Sequence, residues 1–552
     1  MIQAACADTR SVFKGGMKTL LLLSLLASST AAQPIDSHRI ARDVQALSAD
    51  AFDGRGPGEV GETKTVEFLA RSFQAAGLEP AGEGGRWTQD VPLVRLDRLS
   101  GARMSIKIGE RVRTLQLGTE TTLALRNAGR FSLLDAPLIF AGWGIVDPAR
   151  GWDAYKGIDM RGKVAVLLAN DPDFEAGRDL GFGGRALSNA GRSGTKVAAA
   201  AKAGAAGVLF IHEEAAFSWP FSQAGSGDAL PSFAYAPLQT SQLGFTAIVR
   251  GDIAVALLRE MGLTLGQLKE KGRNQGFRAF PLSSAAITVD GANKAAPFVS
   301  HNVIARLPGT SHPDEYVLYG AHWDANGHNG PDASGDSIRN GAVDNATGTA
   351  ELLEVARAFR AGKAPGRSIL FAAWTSEEKG LLGSEYYAAH PLYPLERTAA
   401  VINLDPHVVL PAARNLELIG PGQTDLEDVL GAVAANLKLR VDPEPSPEAG
   451  WYFRSDHYSF AKRGVPSLAF RAGRDLVVGG RAEGQRIVST YNQKCYHQPC
   501  DEFDARWTFA GTCQEATAAF GVGQRIANTR GWPSWRSSSE YRALREQSSG
   551  RR

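Results

Sequence analysis

Three apolar runs in the second half of the chain each end on residues that can bind a metal or move a proton. Tyr316-Val-Leu-Tyr-Gly-Ala321 leads into His322-Trp-Asp324, Ser368-Ile-Leu-Phe-Ala-Ala-Trp374 into Glu377-Glu378, and Ala400-Val-Ile-Asn-Leu404 into Asp405. Asp344 lies in the loop Gly341-Ala-Val-Asp-Asn-Ala-Thr-Gly348 that opens the intervening helix. His497 lies in Cys495-Tyr-His-Gln-Pro-Cys500, beyond the last strand-like run. Singly these are ordinary: a His-x-Asp pair is usually a hydrogen-bonded pair, adjacent glutamates a solvated face, and an aspartate after a strand a helix cap. Together they mean more. In open α/β sheets ligands bind at the carboxyl ends of the strands, which is where all three runs deliver their acids and imidazole. Carboxylates gathered there are costly to bury unless paired or bound to metal. Two imidazoles with several carboxylates form a mixed N/O donor set, which suits zinc better than calcium or a thiolate-bound metal. A carboxylate between two such clusters can bridge two ions about 3.5–4 Å apart. Asp324 is placed to orient His322 from behind. Of the adjacent glutamates one can face a metal, which leaves the other to accept a proton.

Such a convergence needs a scaffold that aligns strand ends. From about Pro297 strand-like and helical runs alternate, the pattern of an α/β fold with a mixed, mainly parallel sheet flanked by helices. Thr347–Arg360 predicts a helix with Leu352, Leu353, Val355, Ala356 and Phe359 on one face, and Ser467-Leu-Ala-Phe470 a further strand. Between Leu134 and Asp290 the character changes. Lys163–Leu168 and Val208–Ile211 read as buried strands and Lys196–Ala206 as an alanine-rich helix, with no cluster of candidate ligands. This segment is expected to be an inserted, β-rich α/β accessory domain. Ser37–Gly82 has helical spacing at Val66, Phe68, Leu69, Phe73 and Leu78. Phe52-Asp-Gly-Arg-Gly-Pro-Gly58 is a glycine-rich turn, too irregular for a phosphate cradle. The expected division is a leader and signal at 1–32, an N-terminal segment at 33–133, the insert at 134–290, the catalytic domain at 297–530 and an exposed Ser/Arg-rich tail at 531–552.

The 552 residues exceed one ordinary core, and 60 basic against 58 acidic side chains give no field for nucleic acid or an anionic membrane. Met17-Lys18, the apolar run Leu20–Ala27 and the small residues before Gln33 describe a secretory signal, too short to span a bilayer. Met17 is a candidate true start. The chain is therefore expected to be exported, to the periplasm or medium, with no membrane span once the signal is removed. Cys495, Cys500 and Cys513 remain after the leader, and a Cys495–Cys500 bridge would enclose His497.

Six motifs in order, Gly320-Ala-His-Trp-Asp324, Gly341-Ala-Val-Asp-Asn345, Thr375-Ser-Glu-Glu378, Asn403-Leu-Asp405, Arg454-Ser-Asp-His457 and Tyr496-His497, resemble those of the co-catalytic dizinc exopeptidases. That family includes aminopeptidase Y, secreted bacterial aminopeptidases and glutamate carboxypeptidase. The resemblance covers about Pro297 to Asn528. It implies two zinc ions per chain: Asp344 bridging both, His322 and Asp405 completing one, and Glu378 and His497 the other. It further implies Glu377 as general base and then proton donor, a cis peptide at Asp344–Asn345, and Tyr452 or Tyr496 polarising the oxyanion. Asp324 and Asp456 would lie behind the ligands, and the insert looks like a protease-associated domain. The family's usual Asp-Met is Asp405-Pro406 here, which changes the neighbouring pocket wall. The expected activity is hydrolysis of N-terminal peptide bonds, because the site is rich in carboxylates able to hold a free amine. A carboxypeptidase needs clustered arginines; Arg454 and Arg471 are the nearest and form no cluster in the sequence. Carboxypeptidase or dipeptidase action is the alternative within hydrolases; a glutaminyl cyclase-like transferase and a receptor-like binding protein are the alternatives outside them.

Overall fold

The computed structural model describes residues 35–228 and 230–549, so the expected leader and signal segment lies outside the described residues. The helical N-terminal region is two helices. α1 (Ser37–Leu47) is capped by Asp36, whose side chain accepts from the His38 N–H, and α2 (Val60–Ala75) follows the glycine-rich turn. In that turn Asp53, Gly54 and Arg55 all have positive φ, which reverses the chain sharply between the helices.

A second unit follows β1 (Thr88–Arg98). β2 (Gly129–Phe140), β3 (Val164–Leu168), β4 (Gly207–Ile211) and β5 (Phe245–Val249) lie parallel in that order, with α3 (Ser193–Lys202) crossing between β3 and β4. β3 and β4 are buried along their whole length, as runs without polar alternation require. The core of this unit already includes Met104, Ile106, Leu115 and Leu125. The expected boundary at residue 134 therefore falls inside β2, and the unit begins some thirty residues earlier. Short polar hairpin strands there carry too little apolar run to announce a domain. Its other end is not a linker either. The 28-residue strand β6 (Phe280–Leu307) pairs with β2 over its first half, with β1 over residues 293–303 and with the main sheet at its end. One continuous strand thus joins the two units.

The main sheet has four parallel strands at its centre. β7 (His312–His322) lies between β8 (Arg367–Trp374) and β9 (Thr398–Asn403), and β9 pairs with β11 (Ser467–Ala472). β6 and β10 (Asn415–Leu418) close the two sides antiparallel, so the sheet is mixed and mainly parallel. Alternation along the strands assigns each face. Val317, Tyr319, Ala321, Phe371 and Ala373 pack with α4 (Gly348–Ala361) and α5 (Ala510–Asn528), while Leu318, Leu370, Ala372 and Trp374 pack with Phe460 on the other side. The helix predicted over 347–360 is α4, and its apolar face Leu352, Leu353, Val355 and Phe359 is buried. The expected exposed tail is corrected. Trp535 and Tyr541 are buried against Tyr452 and Ile419, and the Trp535 indole donates to the Gly464 carbonyl. A segment rich in Ser and Arg reads as solvated, yet two aromatics suffice to fasten it. No helix among the described residues is long and apolar enough to cross a membrane.

Arg55 is the residue of the glycine-rich turn that matters most. It is fully buried and donates to the carbonyls of Leu47, Trp323, Asn340 and Gly341 at 2.6–2.8 Å. One guanidinium thereby ties α1 to the end of β7 and to the loop of Asp344. Burial pushes its pKa down to about 10, against the pull of Asp501 and Asp324. Orphaning a buried carbonyl costs about 1–3 kcal/mol, so Arg55→Met should lower stability by at least about 3 kcal/mol. Arg55→Lys should recover only a fraction, because an ammonium cannot reproduce the planar fork. Urea unfolding midpoints measure both, and an unchanged midpoint in Arg55→Met would show that water replaces the side chain.

Candidate metal centre

The three central strands end level with one another: His322 is opposite Trp374, and Gly320 is opposite Asn403. The residues just beyond, Glu377, Glu378 and Asp405, therefore reach the same edge as His322. Asp344 enters from the loop before α4. Its peptide bond to Asn345 is cis. The Asn345 amide donates to the Leu404 carbonyl and its oxygen accepts from the Gly348 N–H, which locks this loop to the end of β9. Gly348 is required there, since a Cβ would stand 2.2 Å from the Leu404 oxygen.

Asp344 is the centre of the cluster. Its Oδ1 lies 3.2 Å from His322 Nε2 and its Oδ2 lies 3.1 Å from His497 Nε2, so one carboxylate presents one oxygen to each imidazole. Two ligand triads result, His322–Asp344–Asp405 and Asp344–Glu378–His497, with all candidate ligand atoms of each triad within 4.8 Å of one another. Ligands of a tetrahedral ion bound at 2.0–2.1 Å stand about 3.3 Å apart, so these separations fit an ion in each triad. His497 Nε2 is also 3.1 Å from Glu378 Oε2, while Glu378 Oε1 is buried with no hydrogen-bond partner. Glu377 belongs to neither triad. Its Oε2 lies 3.8 Å from His322 Nε2.

The electrostatics follow from four acids gathered in a largely buried site. Burial raises the Glu377 carboxyl well above its ordinary range; His322 opposes this, and Asp456, Glu378 and Asp405 add to it. Burial disfavours charge on both imidazoles, yet the acids prevail: His322 is raised well above its ordinary value, and His497 to about 10 by Glu378 and Asp344.

Asp324 has two roles. Its backbone carbonyl lies 3.1 Å from His322 Nδ1, and its two side-chain oxygens accept the backbone N–H groups of Glu377 and Glu378 at 3.0 and 3.3 Å. One residue thus aims the histidine through its backbone and the glutamate pair through its side chain. Asp456 is buried within electrostatic reach of His322, Asp324 and Asp405, and its carboxyl is pushed up to about 7, chiefly by burial. The two tyrosines separate. Tyr496 lines the cavity beside the cluster and stacks on His497 with ring centroids 3.8 Å apart. Tyr452 packs against His457 and Tyr541 in an apolar cluster and does not line that cavity. The Cys495–Cys500 bridge is present and encloses His497, whose φ is positive, while Cys513 is a buried thiol in α5.

Sequence reasoning missed Asp501. Its carboxylate accepts the N–H groups of Val343 and Asp344 at 2.9 and 3.2 Å and the Tyr491 hydroxyl at 3.1 Å. Nothing in the sequence pairs a residue after Cys500 with a backbone segment more than 150 positions earlier. It also missed that Arg454 and Arg471 line the same cavity as Asp344, Glu377 and Asp405.

Fold and site together define an α/β protein with paired metal-ligand triads at the carboxyl edge of its sheet. Residues 302–521 match the sequence model of peptidase family M28. The chain is 36% identical over 244 residues to the aminopeptidase NAALADL1 of Mus musculus, covering 41% of this chain and 30% of that protein. It is 44% identical over 103 residues to a probable zinc metalloprotease of Pyrenophora teres f. teres, covering 19% of this chain and 22% of the other. These matches span less than a third of either relative's length. Among solved structures, an aminopeptidase from Aneurinibacillus sp. strain AM-1 superposes with a TM-score of 0.52 at 20% identity. The match covers 90% of this chain and 95% of that one, which is a likeness of fold.

The placement of the adjacent glutamates gives a direct expectation. Glu378→Gln removes a member of a triad and should lower the metal content, whereas Glu377→Gln should retain it. Both are read by atomic absorption on dialysed protein, and the reverse pattern would exchange their roles.

Proposed function

We propose that the chain is an exported zinc aminopeptidase that holds two zinc ions and hydrolyses N-terminal peptide bonds. One observation carries the two-ion reading: Asp344 turns one oxygen to His322 and the other to His497. The metal type rests on the mixed imidazole–carboxylate donor set and on a relative described as a zinc metalloprotease. The peptide substrate rests on the family and on the mouse aminopeptidase. His322, Asp344 and Asp405 would hold one ion, and Asp344, Glu378 and His497 the other. Zinc bound there supplies Lewis acidity, lowering the pKa of a water and polarising a carbonyl.

The chain's own residues supply the rest. Glu377, outside both triads and raised in pKa by its buried, acidic surroundings, accepts a proton from water and returns it to the leaving nitrogen. Tyr496 is the tyrosine suited to donate to a developing oxyanion, since its ring lies on His497 in the cavity. Tyr452, the other candidate, is occupied in an apolar cluster. The remaining carboxylate surface of the site suits a free α-ammonium. Export is supported by the Cys495–Cys500 bridge, which persists in oxidising compartments.

Several outcomes test this reading. A chelator should abolish hydrolysis and zinc restore it, with two zinc ions per active chain; one or fewer would sink the two-ion reading. Glu377→Gln should slow turnover by about 10²–10⁴-fold or more, because the residue serves two proton transfers. An unblocked peptide should shorten from its N-terminus, N-acetylation should stop this and C-terminal amidation should not. Mass spectrometry of the products decides the polarity, and shortening from the C-terminus would replace the aminopeptidase reading by a carboxypeptidase one.

A further inference from the structure

We propose that Arg471 and Arg454 make the cavity beside the ligand cluster selective for substrates whose N-terminal residue carries an acidic side chain, aspartate or glutamate. This rests on the exopeptidase reading above and extends it to the substrate class.

Arg471 projects from β11 and is buried, with 6% of its surface exposed. Its Nε lies 3.3 Å from Glu417 Oε2, but its Nη2 is buried with no hydrogen-bond partner. Glu417 is also shared: Arg474 places its Nε 3.4 Å from Glu417 Oε1 and its backbone N–H at 3.2 Å from the same oxygen. One carboxylate therefore serves two guanidiniums. Glu444 and Glu515, the other acids near Arg471, accept from the backbone N–H groups of Gly420 and Ala472, and burial raises the carboxyl of each. A guanidinium with a buried, unpaired N–H is thus carried by a residue that lines the cavity. Arg454 adds a second guanidinium. It lies over the Trp451 ring, 4.4 Å from the centroid, and donates to the uncharged Tyr496 hydroxyl at a long 3.4 Å. The guanidinium of Arg471 lies over the same ring at 5.7 Å. His407, also in the cavity wall, has its Nε2 buried without a partner.

A buried guanidinium with an unsatisfied donor is costly, and a carboxylate is the group whose geometry completes it. The same small cavity, about 50 Å³, is lined by Asp344, Glu377 and Asp405. The ammonium that these acids suit and the carboxylate that the arginines suit would thus be held within one cavity, which points to a single amino-acid residue carrying both. The α-carboxylate of a dipeptide offers the same chemistry, but it lies on the far side of the scissile bond from that ammonium.

The test compares kcat/KM on the anilides of Glu, Gln and Leu, and on Leu-Gly against Leu-Gly amide, with the zinc-loaded full chain. Glu should exceed Gln by about 10–100-fold, the range for one charge-assisted contact in a closed site. In Arg471→Gln and Arg454→Gln the Glu:Gln ratio should collapse toward one. The ratio separates recognition from folding damage, and Arg454, half-buried and outside any carboxylate pair described here, covers the case in which Arg471→Gln does not fold. A wild-type ratio near one with Leu anilide hydrolysed would overturn this proposal and leave the exopeptidase reading standing. Preference for Leu-Gly over its amide without Glu preference would move the carboxylate to the substrate's C-terminus and overturn the side-chain assignment. If no unblocked substrate is cleaved, the exopeptidase reading fails, and calorimetric titration with free glutamate decides the pocket alone. Binding lost in Arg471→Gln keeps the anion site, and no binding to the wild type removes it.

Discussion

Asp344, Glu377, Glu378 and Asp405 are forced together around two imidazoles, and the repulsion among these acids is the constraint to which the surrounding structure answers. Left to itself a side chain would rotate away from such company, so each acid is held by its backbone. Asp324 accepts the N–H groups of Glu377 and Glu378, and Asp501 accepts those of Val343 and Asp344. These supporting groups crowd two further acids into the site, and burial raises the pKa of each, Asp501 to about 7. That arrangement is stable only with compensating positive charge, from protonated imidazoles or from bound cations. The cost of the cluster is thus coupled to its affinity for metal.

The loops that carry the acids are in turn fastened by neutral and cationic donors. Arg55 spans α1, the end of β7 and the approach to Asp344, and Asn345 joins the Asp344 loop to the end of β9. Candidate ligands contributed by five separate segments would otherwise drift independently, and shared supports hold them in one arrangement. The parallel register of β8, β7 and β9 sets the coarse alignment, and these side-chain ties set the fine one.

The second unit contributes to the cleft from outside. Arg192 donates to the Tyr458 hydroxyl at 2.6 Å, Arg185 pairs with Glu448 at 2.6 Å, and the Asn170 amide donates to the Glu448 carbonyl. All three reach the segment from Glu448 to Tyr458 that presents Trp451 and Arg454 to the cavity. The continuous strand β6 joins this unit to the main sheet, and these contacts place it against the segment that forms part of the cavity wall.

The candidate ligands and proton acceptor that the structure gathers at one sheet edge were legible in the sequence because their signal is local. A strand is recognisable from its apolar run, the rule for strand ends in α/β sheets says where its next residue goes, and His322, Glu377, Glu378 and Asp405 follow directly. Asp344 and His497 were legible by resemblance, from short motifs around them. What the sequence could not supply was pairing across distance. Asp501 against Asp344, Arg55 against Trp323, and Arg454 and Arg471 over the one Trp451 ring bring together segments whose local composition is unremarked. The choice of Tyr496 over Tyr452 likewise depended on which ring an adjoining apolar cluster had already claimed. The early start of the second unit and the buried tail belong to the same class, since a few well-placed apolar residues in a polar stretch become core only when a distant surface covers them. Local chemistry determined which side chains could act. Packing, which is non-local and sums many weak contacts, decided which of them face one another and what lines the space between.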